Sequence, residues 1–144
     1  MPGMDAASGL TGPRRAEALT PKVLYTVDAR LTRSSPVTDV ARLTSLSVAA
    51  VAAGHGHVLD ASHVIFPNGA ITLVLILAES HLSIHTWPEE GLIAIDLFSC
   101  GAIDGEAVIA ELADTLRLEA ASVRRLSRGA VTEGGPADHV SPPG

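Results

Sequence analysis

The sequence predicts an α+β fold, a two-layer sandwich with helices packed on one face of a largely antiparallel sheet. Hydrophobic residues make up 47% of the 144 residues, which is enough for one domain with a real core. Several short runs alternate between apolar and polar residues, as strands do, and two longer segments have helical spacing. Their order is β-α-β-β-β-β-α-β, and strands joined by short turns are typical of antiparallel neighbours.

The first half of the domain contains two predicted strands around one helix. Lys22–Arg30 alternates, and His57–Phe66 is a second strand that ends at the turn Pro67-Asn68-Gly69. Between them, apolar residues recur at helical spacing up to Gly54, which ends the helix. The residues with this spacing are Val40, Leu43, Leu46, Val48, Ala49 and Ala52.

Three further strands follow the turn. Ala70–Ala78 is apolar on both faces, which predicts a buried strand. His81–Thr86 alternates, so that His81, Ser83 and His85 share one face and Leu82, Ile84 and Thr86 the other. A hairpin turn at 88–91 leads to Leu92–Ser99, an apolar strand interrupted by Asp96.

The last two elements are a helix and a strand. Asp104 is a suitable N-cap for a helix that runs to about Leu118, with an apolar stripe along one side. Ser122–Ser127 is the final strand. Residues 1–20 and 130–144 are rich in small residues and lack periodicity, so we expect two flexible tails around a domain at 21–129.

Composition argues against several classes of protein. The net charge is −6 and the one dense basic cluster is Arg124, Arg125 and Arg128, so we expect no nucleic-acid partner. The longest apolar run is too short to span a bilayer as a helix, so we expect no membrane partner. The single cysteine, Cys100, excludes an intrachain disulfide, and no signal peptide is recognisable, which favours the cytoplasm.

The segment from Glu79 to Glu89 is unlike an ordinary strand, because it places Ser80, His81, His85 and Trp87 close together after an apolar run. A serine hydroxyl can attack the preceding peptide carbonyl when that peptide is strained or polarised. A histidine is a suitable base for the elimination that follows. If this strand pairs with the next one, the faces that carry His85 and Cys100 can line one site.

The segment ESHLSIHTWPE, followed by a strand that ends in Cys100-Gly101, resembles the S-adenosylmethionine decarboxylase family of the small prokaryotic type. The resemblance implies self-cleavage between Glu79 and Ser80, with Ser80 as the precursor of a covalent pyruvoyl cofactor. Glu79 then becomes the end of the β chain. By the same resemblance His85 is the processing base and Cys100 is the proton donor in turnover.

The resemblance also implies a substrate and a partner. The pyruvoyl carbonyl forms a Schiff base with the amine of S-adenosylmethionine, and the decarboxylated product supplies spermidine biosynthesis. A homodimer of αβ units is implied as well. Phe66 offers an aromatic for adenine, Glu89 matches a family position, and we count Thr72 and Trp87 with them as substrate-binding candidates.

The chain departs from the family in two segments that face substrate. Gly69-Ala70-Ile71-Thr72 stands where the family has Gly-Val-Ser-Gly, and only Thr72 offers a hydroxyl there. Thr72 lies an even number of residues before Ser80, so the two can share a strand face. Pro21-Lys22-Val23-Leu24 replaces the family's Gly-x-His-Leu. These departures leave L-arginine or L-ornithine open as the substrate.

A different class of function also remains open. Ser80, His85 and Cys100 can each be ordinary residues, in a turn, on a strand surface and in a core respectively. The chain is then a non-catalytic homologue or a metal-binding module that uses His55, His57 and His63. A surface loop explains these histidines as well as a metal does, so we predict no metal site.

Overall fold

The structure is a computed structural model that describes residues 20–131. The predicted tails lie outside this range except for Thr20, Ala130 and Val131. The described range contains six strands: β1 Lys22–Arg30, β2 Val58–Ile65, β3 Ile71–Leu77, β4 Ser80–Trp87, β5 Leu92–Cys100 and β6 Glu119–Arg128. The helices in these residues are α1 Val40–Ala53 and α2 Gly105–Thr115, and a 3₁₀ turn covers Pro88–Glu90.

The strands form one sheet in the order β2-β3-β4-β5-β1-β6, and every neighbouring pair is antiparallel. The predicted α+β class and the predicted element order are confirmed. From β2 to β5 the strands lie side by side in the same order as in the sequence, because short turns join them. β1 lies between β5 and β6, so the first strand of the described range pairs with the last two strands of that range.

One side of the sheet carries the core. Burial alternates strictly along β4 and β5, so that Leu82, Ile84, Ile93, Ile95 and Leu97 are enclosed. These side chains join one cluster with buried residues of both helices. Tyr25 is the only aromatic side chain in this cluster, so aliphatic packing supplies nearly all of the apolar burial among the described residues.

The opposite side of the sheet, which we call the open face, carries the alternate residues and is only partly buried. Its members on β3, β4 and β5 are Thr72, Val74, Ile76, His81, Ser83, His85, Trp87, Leu92, Ala94, Asp96, Phe98 and Cys100. Asp96 therefore does not interrupt β5, because its carboxylate lies on this side. The predicted shared face of His81, Ser83 and His85 is confirmed.

The helix termini explain where α1 and α2 start and stop. Asp39, which the sequence pattern did not single out, caps α1 by accepting from the amides of Ala41 and Arg42 at 3.0 and 3.3 Å. The predicted Asp104 cap of α2 is confirmed by its bond from the Ala107 amide. The predicted end at about Leu118 is wrong, because Arg117 adopts a left-handed conformation with φ 54° and the helix stops at Thr115.

A hydrogen-bonded group attaches α2 to the sheet. The Tyr25 hydroxyl donates to Glu106 Oε1 at 3.1 Å, and Arg125 forms an ion pair with Glu106 at 3.5 Å while lying 5.7 Å from the Tyr25 ring centroid. Burial raises the pKa of Tyr25, and the neighbouring Glu106 raises it further. The phenol therefore acts here as a neutral donor that joins β1, β6 and α2.

The helices approach each other and the sheet closely enough to require glycine. The Asp104 amide donates to the Gly54 carbonyl at 2.9 Å, and a Cβ on Gly54 would lie 2.6 Å from the Asp104 carbonyl oxygen. A Cβ on Gly105 would overlap the Tyr25 ring. None of the helices in the described range is long and apolar enough to cross a membrane.

We expect Gly105→Ala to lower the free energy of unfolding by about 1–3 kcal/mol, because the added methyl must displace the buried Tyr25 ring. Alanine in an unobstructed helix position has the opposite effect, since its helix propensity is higher than that of glycine. Urea unfolding measures the difference. Asp114→Ala, at an exposed position of the same helix, is the control and should change stability by no more than about 0.5 kcal/mol.

Candidate functional site

A two-residue turn, Ala78-Glu79, joins β3 to β4. Leu77 pairs with Ser80 across this turn. Glu79 has φ 57°, a left-handed conformation that costs a residue with a side chain roughly 1–2 kcal/mol. The peptide bond between Glu79 and Ser80 therefore follows a strained residue. Strain of this kind persists only where the surrounding structure imposes it, and it concentrates at functional sites.

Ser80 is the first residue of β4 and is 9% exposed. Its Oγ is buried and has no hydrogen-bond partner among the described residues. A buried hydroxyl normally has a partner, because an unmade hydrogen bond costs about 1–3 kcal/mol. Among the described residues the Ser80 hydroxyl therefore forms no hydrogen bond, and it lies beside a strained peptide. This arrangement is suited to a nucleophile and does not stabilise the fold.

Cys100 ends β5 beside this turn. Its Sγ donates to Glu79 Oε1 at 3.7 Å, and its side chain is partly buried on the open face. Next to it, His81 of β4 stacks on Phe98 of β5 with ring centroids 5.9 Å apart. The structure therefore places Cys100 in contact with Glu79 at the end of the sheet where β4 begins with Ser80. The His81–Phe98 stack was not predicted, because strand pairing has to be known to find it.

His85 and Thr72 meet on the neighbouring strands β4 and β3. The two residues are direct partners, and Thr72 Oγ1 lies 3.2 Å from His85 Nδ1. Trp87 stacks on His85 with centroids 6.1 Å apart. Thr72 therefore shares a face with His85. The expected shared face with Ser80 is wrong, because the two-residue turn separates the strands and Ser80 lies on the helix side.

A pocket of about 520 Å³ lies at this second group. Four predicted residues line it: Phe66, Thr72, His85 and Trp87. Its other walls come from the turn after β2, where the Asn68 side chain accepts from the Ala70 amide at 3.0 Å. Thr86 fixes the same wall by accepting from the Ile71 amide at 2.9 Å. Glu89, the remaining substrate-binding candidate, is exposed in the 3₁₀ turn and does not line the pocket.

The two groups lie at opposite ends of β4. Five residues separate Ser80 from His85, which is about 17 Å along an extended strand. His85 pairs with Ala94, and Cys100 lies six residues further along β5. His85 and Cys100 do share the open face, but within one chain they cannot line one site, because the register keeps them about 20 Å apart.

The histidines considered for a metal do not assemble. His55 lies in the turn after α1 with φ 69°, and His63 lies on the edge strand β2. Within 20–131, no group of three or more histidine, cysteine, aspartate or glutamate side chains is arranged to hold a metal ion. The metal-binding hypothesis therefore gains no support from His55, His57 and His63.

Comparison with known proteins gives consistent matches. The family model described as S-adenosylmethionine decarboxylase matches residues 24–129. A relative from Symbiobacterium thermophilum, named S-adenosylmethionine decarboxylase proenzyme, is 39% identical over 105 residues, which is 72% of this chain and 80% of the relative. A proenzyme of the same name from Thermoplasma acidophilum is 47% identical over 68 residues, which is 46% of this chain and 51% of the relative.

A solved structure matches over a larger part of the chain. The crystal structure of the adenosylmethionine decarboxylase from Aquifex aeolicus superposes with a TM-score of 0.69 and 26% identity, covering 81% of this chain and 97% of that one. The chain spans about half the length of some of the curated relatives that it matches. Because the family model extends from β1 to the end of β6 and a relative agrees over most of the chain, this protein belongs to the S-adenosylmethionine decarboxylase family.

Proposed function

We propose that this chain cleaves itself between Glu79 and Ser80 and then acts as a pyruvoyl-dependent decarboxylase. The observation that carries the proposal is the buried, unpartnered Ser80 hydroxyl directly after the left-handed Glu79. Relatives of the same family are named as proenzymes, which supports processing of the chain. Relief of the strain at Glu79 on cleavage favours the reaction.

The cleavage needs only atoms of the chain and one water molecule. Ser80 Oγ attacks the Glu79 carbonyl carbon, the C–N bond breaks, and an ester replaces the peptide. A base removes the Ser80 Cα proton, the ester C–O bond breaks, and Glu79 leaves as a carboxylate. Water then replaces the nitrogen of the resulting dehydroalanine, and ammonia leaves. Ser80 has thereby become a pyruvoyl group at a new chain end.

The residues around Ser80 fit such a group, because the hydroxyl has no structural partner to lose. The pyruvoyl group supplies an electrophilic carbonyl that withdraws electrons from a bound amine, without pyridoxal phosphate. The product carbon needs a proton donor from the protein. Cys100 is the candidate, because its thiol lies at the end of β5 that adjoins Glu79 and the Glu79–Ser80 bond. Glu79 Oε1 accepts from that thiol and orients it.

The pocket at Phe66 and Trp87 supports S-adenosylmethionine as the substrate. Aromatic walls are suited to a flat purine ring, and about 520 Å³ is within the range of small-molecule sites. The product would then be decarboxylated S-adenosylmethionine for spermidine biosynthesis. L-arginine or L-ornithine is the second candidate, favoured by the departures at Thr72 and in the first strand, since neither amino acid needs an aromatic wall.

A homodimer can complete the site. The processing base His85 lies about 17 Å from Ser80 in its own chain, too far for proton transfer. Suppose that the open faces of two copies stack and that the two-fold axis lies between the sheets, perpendicular to the strands. The Ser80 end of one β4 then lies over the His85 end of the other. Stacked sheets are about 10 Å apart, so facing side chains meet. The partly buried Val74 and the exposed Ile76 offer apolar surface for such a contact.

Intact mass under denaturing conditions tests cleavage. We expect two fragments of 79 and 65 residues, the lengths on either side of the Glu79–Ser80 bond. Ser80→Ala removes the nucleophile and should leave a single chain of full mass. Ser83→Ala removes a hydroxyl from the same strand, away from the turn, and should be cleaved normally. Wild-type protein that remains intact contradicts the proposal.

Coexpression of Ser80→Ala and His85→Ala chains tests whether two copies share the site. Neither variant should be cleaved alone. In mixed dimers the Ser80 end of one β4 faces the intact His85 of the other chain, so about half of the His85→Ala chains should be cleaved, the share that random pairing places in mixed dimers. The mass of each chain reports the result. If the mixture contains no cleaved His85→Ala chain, the shared site is wrong.

Release of carbon dioxide from S-adenosylmethionine, L-arginine and L-ornithine identifies the substrate. We expect S-adenosylmethionine to react and the two amino acids not to. Trp87→Ala should be cleaved normally and should lower kcat/KM for S-adenosylmethionine about 3–10-fold, the usual worth of an aromatic stack. If carbon dioxide is released only from L-arginine or L-ornithine, the second candidate is correct and S-adenosylmethionine is not the substrate.

A further inference from the structure

The sheet end that holds Ser80 carries a lateral row of residues from three neighbouring strands and a turn. Lys22 of β1 pairs with Cys100 of β5 on one side and with Arg128 of β6 on the other. Glu79 lies on the far side of Cys100 and accepts from its thiol at 3.7 Å. The chain contains one lysine and one cysteine. The strand register makes these two residues direct neighbours.

Lys22 has only a weak partner in the uncleaved chain. Its Nζ donates to the Thr20 carbonyl at 3.2 Å in an exposed contact. Its stem lies along Gly129, where an added Cβ would be 2.9 Å from Lys22 Cδ. Among the described residues Lys22 forms no ion pair. A carboxylate is a stronger acceptor than a neutral carbonyl, so a new carboxylate within reach would attract this ammonium.

Cleavage creates such a carboxylate. When the bond after Glu79 breaks, the main chain of Glu79 ends in a second negative charge beside its own side chain. The added charge then lies beside Cys100, and a negative charge placed next to a thiol makes release of its proton less favourable. A donor that must release a proton during turnover is impaired by uncompensated carboxylates. Lys22 and Glu79 flank Cys100 about 10 Å apart, and the four-carbon stem of lysine can cover most of that distance.

We propose that Lys22 is a positioning residue that binds the carboxylate formed at Glu79 and so preserves the reactivity of Cys100. The inference rests on the proposed cleavage. It assigns to the single lysine a role in the cleaved protein and none in cleavage itself.

Other charged or titratable groups near Cys100 are less well placed for this role. Arg128 is one strand beyond Lys22, and Asp96 is four residues away along β5, about 13 Å. His81 is directed at the Phe98 ring, on which it stacks. Between residues 20 and 131, Glu79 is the one acid that contacts the thiol, and Lys22 is the one cation in the adjacent position.

Alkylation of the single cysteine tests the proposal without reference to turnover. The rate of reaction with iodoacetamide at pH 8 reports the thiolate fraction of Cys100 alone. In the cleaved protein Lys22→Met should slow alkylation about five- to ten-fold, the effect of removing one charge at this range. Lys22→Arg should restore most of the rate. Arg30→Met removes the same charge at the opposite end of β1 and should have no effect.

The same measurement in the uncleaved Ser80→Ala chain supplies the decisive comparison. There the new carboxylate is missing, so Lys22→Met should slow alkylation by less than about two-fold. In the otherwise wild-type protein Lys22→Met should leave cleavage unchanged and lower kcat more than it changes KM. If Lys22→Met and Arg30→Met behave alike in cleaved protein, only this inference fails. Wild-type protein that never cleaves overturns both this inference and the proposed function.

Discussion

The pairing of Leu77 with Ser80 across a two-residue turn is the constraint on which the rest of the site depends. It fixes the register of β3 against β4, and through it the meeting of Thr72 with His85 at the other end of the two strands. It also forces Glu79 into the left-handed region and leads Ser80 into the buried side of the sheet. A turn one residue longer would reverse the faces of β4 and remove all three features together.

The two faces of the sheet carry different kinds of residue, the apolar core on one face and most residues of the candidate site on the other. In the part of the chain that the structure describes, the helix side holds packed leucine, isoleucine and valine, with Tyr25 as the one large aromatic side chain in the core cluster. The open face holds His81, His85, Trp87, Phe98 and Cys100, which are partly buried or exposed. Because successive residues of a strand point to opposite sides, one short segment such as β4 can serve both purposes. Changes on the open face therefore leave the aliphatic core intact.

Much of the fold could be predicted from periodicity and turn residues, because both signals are local. The bounds of β1 were predicted to the residue, and the α2 cap at Asp104 was found because it precedes a clear apolar stripe. The Asp39 cap was missed, since several polar residues precede α1 and only geometry selects one. The end of α2 was predicted too far along the chain. The left-handed residue after this helix is Arg117, whereas sequence patterns recognise such a position by a glycine. The candidate site residues on β4 and β5 were chosen from their motif, and their roles stay a prediction. Their distribution between two ends of the sheet depends on the register, which the motif does not contain.

The position of β1 in the sheet has a consequence for a chain broken after Glu79. Strands β1, β2 and β3 belong to the first fragment, and β4, β5 and β6 to the second. Yet β1 lies between β5 and β6, hydrogen-bonded to both, and β3 remains paired with β4. The fragments therefore contribute alternate parts of one sheet, and neither can leave without unfolding the other. Loss of one covalent link leaves a protein that is two polypeptides by mass and one cooperative unit in unfolding.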